Sequence, residues 1–156
     1  MAEPPKPSLA AEVTRLQTEL RELEARETER GWVLTLREEA LFDGGSAALK
    51  PGAERALERL AGLLQTQPER SIAIEGFTDR TGPAEANRRL SEARAAAVKQ
   101  GLVQRGVDAA RIQTRGHGPG FPVASNDTAI GRQLNRRVEI VIAPPPPSAS
   151  AGGATR

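Results

Sequence analysis

The stretch IEGFTDRTGPAEANRRLSEARAAAV, residues Ile74–Val98, changes its hydrophobic periodicity partway along, and this change decides the fold. It completes the alternating run SIAIEG, in which Ile72 and Ile74 would share one face of a strand. After a polar loop, the residues from about Pro83 to Gln104 have the spacing of a helix. A strand that leads through a loop into a helix is the repeating unit of α/β domains.

The same alternation continues on both sides of this unit. Further strands are predicted at Trp32–Leu36, around Ile112 and at Arg137–Ala143. Helices are predicted from Pro51 to the residue before Pro68 and near Thr128–Leu134. Because crossovers that contain a helix require parallel, right-handed connections, the sheet must be mixed. We therefore predict a two-layer α/β sandwich: a mixed four-stranded sheet in βαβαβαβ order, with helices packed on one face.

A short apolar seam precedes the predicted sandwich. It consists of residues spaced by alternating steps of four and three: Leu9, Val13, Leu16, Leu20 and Leu23. This spacing is typical of the a and d positions of a coiled coil. We expect residues 8–30 to form one amphipathic helix, ended by Gly31, that self-associates weakly, packs on the domain or continues a longer upstream helix.

The two ends of the chain are rich in proline. The segment 144–156 opens with four consecutive prolines and holds no apolar residue larger than alanine, so it cannot offset the entropy of its own ordering. A spacer is the simplest interpretation, and a ligand for a proline-binding groove is the alternative. The predicted division is a disordered lead at 1–7, the helix at 8–30, the folded domain at 31–143 and a disordered tail at 144–156.

The composition excludes several classes of function. The chain has no cysteine and one histidine, which rules out disulfides, thiolate zinc sites and histidine-rich metal sites. With 22 Lys and Arg against 20 Asp and Glu, the net charge of +2 gives no strong field for nucleic acid. No apolar run approaches the ~20 residues of a membrane span. We expect no cofactor, no metal, no nucleic-acid partner and no membrane span in this chain.

An enzyme is also not expected. His117, Ser125 and Asp127 can be arranged as a triad on paper, but no GxSxG-like elbow surrounds the serine. The sequence also lacks a pair of carboxylates at a spacing recognisable as a general acid and base.

One arginine interrupts the apolar face of the predicted helix between Pro83 and Gln104. Leu90, Ala93 and Ala97 belong to that face, and Arg94 lies at its edge, where it must reach solvent or find a buried partner. Asp79 lies in the preceding loop and is a suitable partner. The two side chains could form a structural salt bridge. Alternatively, they could stand apart and bind a zwitterion, with Asp79 taking an ammonium and Arg94 a carboxylate.

Three segments carry a family resemblance: LFDGGSAALKPGA at Leu41–Ala53, the stretch Ile74–Val98, and GHGPGFPVASNDTAIGRQLNRRVEIVI at Gly116–Ile142. Together they resemble the OmpA-like C-terminal domain family, which includes peptidoglycan-associated lipoproteins and the wall-anchoring part of flagellar stators. The resemblance covers residues 31–143. It implies a non-catalytic domain that binds peptidoglycan through the diaminopimelate of the stem peptide, a group with both an ammonium and a carboxylate.

The resemblance also implies a set of ligand residues. The family's ligand aspartate, in its TD motif, falls on Asp79, and its ligand arginine, in LSxxRA, falls on Arg94. The FD pair matches Phe42, whose ring would floor the pocket, and Asp43, whose carboxylate or neighbouring amides would line it. Further positions that shape or line the pocket match Thr78, Asn87 and Leu90.

Three residues are implied in a secondary role. The NRRVEI match puts Arg136 and Arg137 near the rim of the pocket. Phe77 stands where the family usually has a histidine, since this chain reads GFTD in place of GHTD. The exchange would remove one polar contact and one source of pH sensitivity.

The expected function is therefore a periplasmic anchor that tethers an outer-membrane or envelope protein to peptidoglycan. The alternative is a structural assembly module that oligomerises through residues 8–30 and docks a protein partner. Residues 1–10 lack a signal-peptide pattern, and no lipid-attachment cysteine is present. We accordingly expect a trimmed piece of a longer envelope protein.

Overall fold

One mixed sheet forms the centre of the computed structural model, which describes residues 7–147. Its five strands are β1 (Glu24–Thr28), β2 (Gly31–Arg37), β3 (Ile72–Phe77), β4 (Ile112–Gly116) and β5 (Arg137–Ile142). They lie in the order β1-β2-β5-β3-β4, with β3 and β4 parallel and the other neighbours antiparallel. The loop that carries Asp79 therefore leaves the sheet at the edge where β5 begins.

The helices lie between these strands. They are α1 (Leu9–Glu19), α2 (Glu38–Leu41), α3 (Glu54–Gln65), α4 (Ala84–Val103) and α5 (Ala129–Asn135). Helix α4 packs on β3 and β4, α3 packs on α4, and α1 packs on α3. The predicted mixed α/β sandwich is confirmed, and from β2 onward the elements follow the predicted βαβαβαβ order.

Strand alternation builds the core on the helix-covered face of the sheet. Leu34, Ile74 and Ile140 come from three neighbouring strands and are fully buried there. Leu60 of α3 and Leu102 of α4 belong to the same core cluster. Because the apolar positions of strands and helices meet in one layer, burial of this layer is the main term that stabilises the fold.

The predicted helix across residues 8–30 is wrong beyond Glu19. The chain turns after α1, and residues Glu24–Thr28 form β1, which pairs antiparallel with β2 and makes the sheet five-stranded instead of four-stranded. Gly31 does not end a helix but opens β2, with φ +115°, and a Cβ there would lie 2.1 Å from the carbonyl oxygen of Ile142. Pairing with β2 outweighs the helix propensity of the charged residues in β1.

The apolar seam packs on the chain's own domain. Its five side chains keep at most 5% of their surface exposed and belong to the core: Leu9, Val13, Leu16, Leu20 and Leu23. Of the three roles considered for this segment, packing on the domain is the one observed. The seam is therefore not exposed for a second chain, and oligomerisation through residues 8–30 loses its structural basis.

The folded unit consequently begins earlier than the predicted boundary at residue 31, because α1 and β1 share its core and sheet. At the other end, Pro144–Pro147 are exposed and have no regular secondary structure. The rest of the predicted lead and tail, residues 1–6 and 148–156, lies outside the described residues.

Candidate functional site

A close approach between β3 and α4 positions the candidate site. A Cβ at Gly76 would lie 2.3 Å from the carbonyl oxygen of Ser91, so only glycine allows the strand to reach the helix backbone here. The Ser91 hydroxyl accepts a hydrogen bond from Gly118 N (2.8 Å), and Gly118 in turn accepts one from Thr78 N (2.8 Å). These contacts fix the loop that carries Asp79 against α4.

Arg94 lies on the buried face of α4. The buried positions of that helix are Ser91, Arg94, Ala95, Val98, Gly101 and Leu102. Ala93, which the sequence pattern put on the apolar stripe, is exposed. The true buried face is therefore rotated from the predicted stripe, and Arg94 is one of the residues on it.

The guanidinium of Arg94 is held by three segments. Its Nε donates to the carbonyl oxygen of Ser46 (2.9 Å), and its Nη1 donates to the carboxylate of Glu38. Its central carbon lies 5.0 Å from the ring centroid of Phe42, within cation–π range. Its Nη2 is buried and has no hydrogen-bond partner among the described residues. A buried donor of this kind is unfavourable unless it gains a partner.

Asp79 is also buried and has a partner for each carboxylate oxygen. Oδ1 accepts the backbone N–H of Thr81 (2.7 Å), and Oδ2 accepts Nη1 of Arg136 (2.7 Å). Burial raises the pKa of the Asp79 carboxyl, but the Thr81 N–H and the Arg136 guanidinium together outweigh it, so the net pKa is lowered. Asp79 is therefore a carboxylate at neutral pH.

Asp79 and Arg94 belong to one network without a hydrogen bond or salt bridge between them. Nε of Arg136 donates to Glu38 (3.1 Å), which completes a chain of alternating charges: Asp79, Arg136, Glu38 and Arg94. Burial lowers the pKa of Arg136, but its bonds to Asp79 and Glu38 outweigh this effect and raise it. The direct salt bridge that the sequence left open is therefore not formed.

Glu38 was missed by sequence reasoning. It follows β2 directly, and the register pairs Arg37 with Arg137, so Glu38 comes to lie beside Arg136; its N–H donates to the carbonyl oxygen of Arg136 (3.0 Å). Its partner Arg94 is 56 positions away in the sequence. No local motif marks such a pair, and identifying it requires knowledge of which strands are neighbours in the sheet.

Several other predicted residues surround this network. The hydroxyl of Thr78 donates to the carbonyl oxygen of Asp79 (2.9 Å), and the side-chain amide of Asn87 donates to that of Thr81 (2.7 Å). Leu90, half-buried, lies one helical turn before Arg94 on α4. The hydrogen bonds of Thr78 and Asn87 thus hold the loop that carries Asp79 and connect it to the start of α4.

The FD pair is split between the core and the surface. Phe42 is buried beneath the Arg94 guanidinium. Asp43 is exposed, and its carbonyl oxygen accepts the N–H of Ser46 (3.0 Å), which shapes the loop that contacts Arg94.

Phe77 and Arg137 are not brought to this network. Strand alternation puts both on the helix-free face of the sheet, where Arg137 lies over the Phe77 ring at 3.9 Å from its centroid. The Phe77 ring stacks on His117 at 4.9 Å. Arg137 donates to Glu139 (2.8 Å) and to the carbonyl oxygen of Phe121 (3.1 Å). Of the three residues given a secondary role, Arg136 belongs to the network, whereas Arg137 and Phe77 lie away from it on the helix-free face.

The other chemical arrangements considered from the sequence are not formed. The hydroxyl of Ser125 accepts the N–H of Asp127 (3.0 Å) as a loop contact, while His117 lies between Phe77 and Phe121. Within residues 7–147, no group of three or more His, Cys, Asp or Glu side chains could hold a metal ion. None of the helices in this range is long and apolar enough to cross a membrane.

Comparison with known proteins identifies the family. Residues 41–136 match the OmpA family, and this segment includes three of the four members of the network: Asp79, Arg94 and Arg136. The chain belongs to the OmpA family. The family is a structural, non-enzymatic module, and the chain is accordingly not an enzyme.

Individual relatives agree in sequence and in structure. The probable lipoprotein YiaD of Escherichia coli is 44% identical over 112 residues, which cover 72% of this chain and 51% of YiaD. The chain thus spans about half the length of this relative. A MotB-like protein from Desulfovibrio vulgaris has TM-score 0.78 and 29% identity over 86% of this chain and 93% of its own. The cell wall anchor of the type VI secretion system (T6SS) from Pseudomonas aeruginosa has TM-score 0.75 and 31% identity over 90% and 100%.

Proposed function

We propose that this domain binds peptidoglycan non-covalently through the diaminopimelate of the stem peptide and so anchors an envelope protein to the cell wall. The observation that carries the proposal is the separation of two buried opposite charges. Asp79 and Arg94 share one network yet do not neutralise each other, and Arg94 keeps an unsatisfied Nη2 donor. A ligand with an ammonium and a carboxylate matches both groups.

The chemistry of the contact follows from the two groups. The ligand ammonium would donate to the Asp79 carboxylate, and the ligand carboxylate would accept from the planar guanidinium of Arg94. Phe42 would hold the guanidinium plane from below, and Thr78 and Asn87 would keep the Asp79 loop in place. Two such contacts contribute ~2–5 kcal/mol after desolvation, which corresponds to a dissociation constant between about 30 mM and about 0.2 mM per site. This strength suits a tether present in many copies.

The relatives support the general role. The P. aeruginosa structure is named a cell wall anchor, and the E. coli relative is named a lipoprotein. An anchor of this kind works where peptidoglycan is accessible, so we place the domain in the periplasm, attached to the envelope by the rest of its protein.

The test is co-sedimentation with isolated sacculi that contain diaminopimelate. The wild-type protein should pellet with the sacculi, and Asp79→Ala and Arg94→Ala should each reduce the bound fraction about tenfold or more. Arg89→Ala and Asp127→Ala are matched controls, because both side chains are exposed, and Arg89 lies on the same helix as Arg94. Thermal unfolding of each variant establishes that it is folded.

Competition with small ligands separates this site from general adhesion. Free diaminopimelate should release the wild-type protein, and cadaverine, which has the same two ammonium groups but no carboxylate, should release it less effectively. The proposal is wrong if the wild-type protein stays in the supernatant, or if folded Asp79→Ala and Arg94→Ala variants both bind as well as their controls.

A further inference from the structure

We infer that Glu38 and Arg136 are internal stand-ins for the ligand, and that Glu38 competes with the carboxylate of the ligand for Arg94. This inference rests on the proposed function and goes further by naming the groups that the ligand displaces. In the ligand-free chain, Glu38 provides the carboxylate for Arg94, and Arg136 provides the cation for Asp79. Glu38 and Arg136 thus present the two charges of a zwitterion to the two ligand-binding residues, Arg94 and Asp79.

The donors of Arg94 show where exchange takes place. A carboxylate grips a guanidinium bidentately through Nη2 together with either Nη1 or Nε. Nε is bound to a backbone carbonyl, that of Ser46, whereas Nη1 is bound to the side chain of Glu38 and Nη2 is unpartnered within the described residues. A side chain can rotate away while the backbone stays in place, so the Nη1 and Nη2 edge is the one that a ligand can take.

The acceptors of Asp79 lead to the same conclusion. Oδ1 is bound to the backbone N–H of Thr81, and Oδ2 is bound to the side chain of Arg136. A ligand ammonium therefore takes Oδ2 and displaces Arg136. At both ends of the network, one contact is a fixed backbone group and the other is an exchangeable charged side chain.

Burial distinguishes the two stand-ins from the two ligand-binding residues that they contact. The side chains of Arg94 and Asp79 keep 3% and 10% of their surface exposed, against 14% for Glu38 and 31% for Arg136. Glu38 and Arg136 are also bonded to each other at 3.1 Å. When both move aside they keep this mutual pair, so exchange leaves no charge buried and alone, which would be the costly outcome.

Internal competition lowers the apparent affinity for the ligand, because only the molecules in which the stand-ins have moved aside can bind it. Replacing Glu38 by Gln keeps the shape of the side chain but removes the charge that competes for Arg94. The ligand carboxylate then meets a weaker competitor. A ligand without that carboxylate gains nothing from the change, because its ammonium still has to displace Arg136 from Asp79.

The experiment measures binding of the full chain to two purified muropeptides, identical except that one carries diaminopimelate and the other lysine at the third position of the stem. Isothermal titration gives the dissociation constant of the wild type, Glu38→Gln and Glu39→Gln for each. Glu39 is the matched control, because it is the next residue on α2 and bonds Gln133 (2.6 Å) outside the network. Glu38→Asp keeps the charge on a shorter side chain and serves as a second variant if Glu38→Gln does not fold.

We expect Glu38→Gln to bind the diaminopimelate muropeptide roughly three- to tenfold more tightly than wild type, with less than about twofold change for the lysine muropeptide. Glu39→Gln should match wild type for both, and Glu38→Asp should fall between wild type and Glu38→Gln.

If wild type binds the diaminopimelate ligand and Glu38→Gln binds it equally or more weakly, Glu38 only orients Arg94 and the inference alone fails. If neither protein binds, the proposed function and the inference fall together. Binding by Glu38→Gln alone would support the inference and show that the stand-ins block the site in the wild type.

Discussion

Among single residues, Glu75 shows how a buried charge is stabilised on the face of the sheet that no helix covers: it pairs with Arg30. Glu75 lies in the middle of β3 on the helix-free face, with only 8% of its side chain exposed. Both of its carboxylate oxygens accept from the Arg30 guanidinium, and Nε2 of His117 lies 3.4 Å from Oε1. Glu139, directly across on β5, is bound separately by Arg137 (2.8 Å).

This arrangement makes stability depend on acid pH. Burial raises the pKa of Glu75, but hydrogen bonding and charge attraction from Arg30, with a further contribution from His117, outweigh it and lower the pKa. A carboxyl whose pKa is lower in the folded state stabilises the fold above its unfolded pKa of about 4.3. That contribution is lost as the pH falls through the lower, folded value.

Glu75→Gln should therefore reduce the free energy of unfolding by about 1–2 kcal/mol near pH 6, with the deficit shrinking as the pH falls below about 4. Urea unfolding of both proteins over this range measures the difference. Glu24→Gln is the control, because Glu24 pairs with Arg37 (2.7 Å) but is 63% exposed, and its loss should cost under about 0.5 kcal/mol. A deficit that stays constant with pH would show that Glu75 acts through packing alone.

Single residues were predictable from the sequence where a local motif marks them. Asp79 and Arg94 could be named because each stands in a short motif and because a charged residue on a buried helix face needs a partner. Glu38 could not be named, because its role depends on the β2–β5 register. Phe77 lies on the helix-free face although it is close to Asp79 in the sequence, because sequence distance does not determine the face on which a strand residue lies.

At the scale of elements, α1 shows how one periodicity can serve two structures. Apolar residues at steps of three and four fit a coiled coil and also fit a helix laid on a domain. Here the partner surface is α3 of the same chain, and Val13 and Leu16 are in the core. Strands β2 to β5 and helices α3 to α5 were predicted well, since their patterns have one structural solution each. The predicted α4, for example, agrees to within one residue at each end.

The packing of α1 is tested by shortening one seam residue. Leu16→Ala should lower the free energy of unfolding by about 2–4 kcal/mol, because it removes buried methyl groups and leaves a cavity between α1 and α3. Thr18→Ala, at an exposed position of the same helix, should cost much less. Urea unfolding measures both. Equal, small effects for the two variants would mean that α1 does not pack on the domain in solution.

At the scale of the whole molecule, the two faces of the sheet are buried by different means. Helices α1, α3 and α4 build the core over one face. The other face carries four buried polar residues: Thr35, Glu75, Arg137 and Glu139. Arg137 stacks on the Phe77 ring there, and Arg30 pairs with Glu75. All six residues of β5 are consequently buried, although two of them, Arg137 and Glu139, are charged. Composition and periodicity predicted the first face. They could not predict the second, because its burial depends on ion pairs between distant segments.

The same architecture predicts the state of association. With its apolar seam buried in its own core, the full chain should be a monomer of 16.6 kDa in sedimentation equilibrium. Deleting residues 1–20 removes α1 from its packing site on α3 and exposes core side chains. The shortened protein should therefore unfold at a lower temperature and should associate increasingly as its concentration is raised. Deleting residues 144–156 is the control and should change neither mass state nor stability. The opposite result would contradict this prediction. If residues 8–30 formed a coiled coil, the full chain would be an oligomer, and removing the helix would give a monomer with its domain intact.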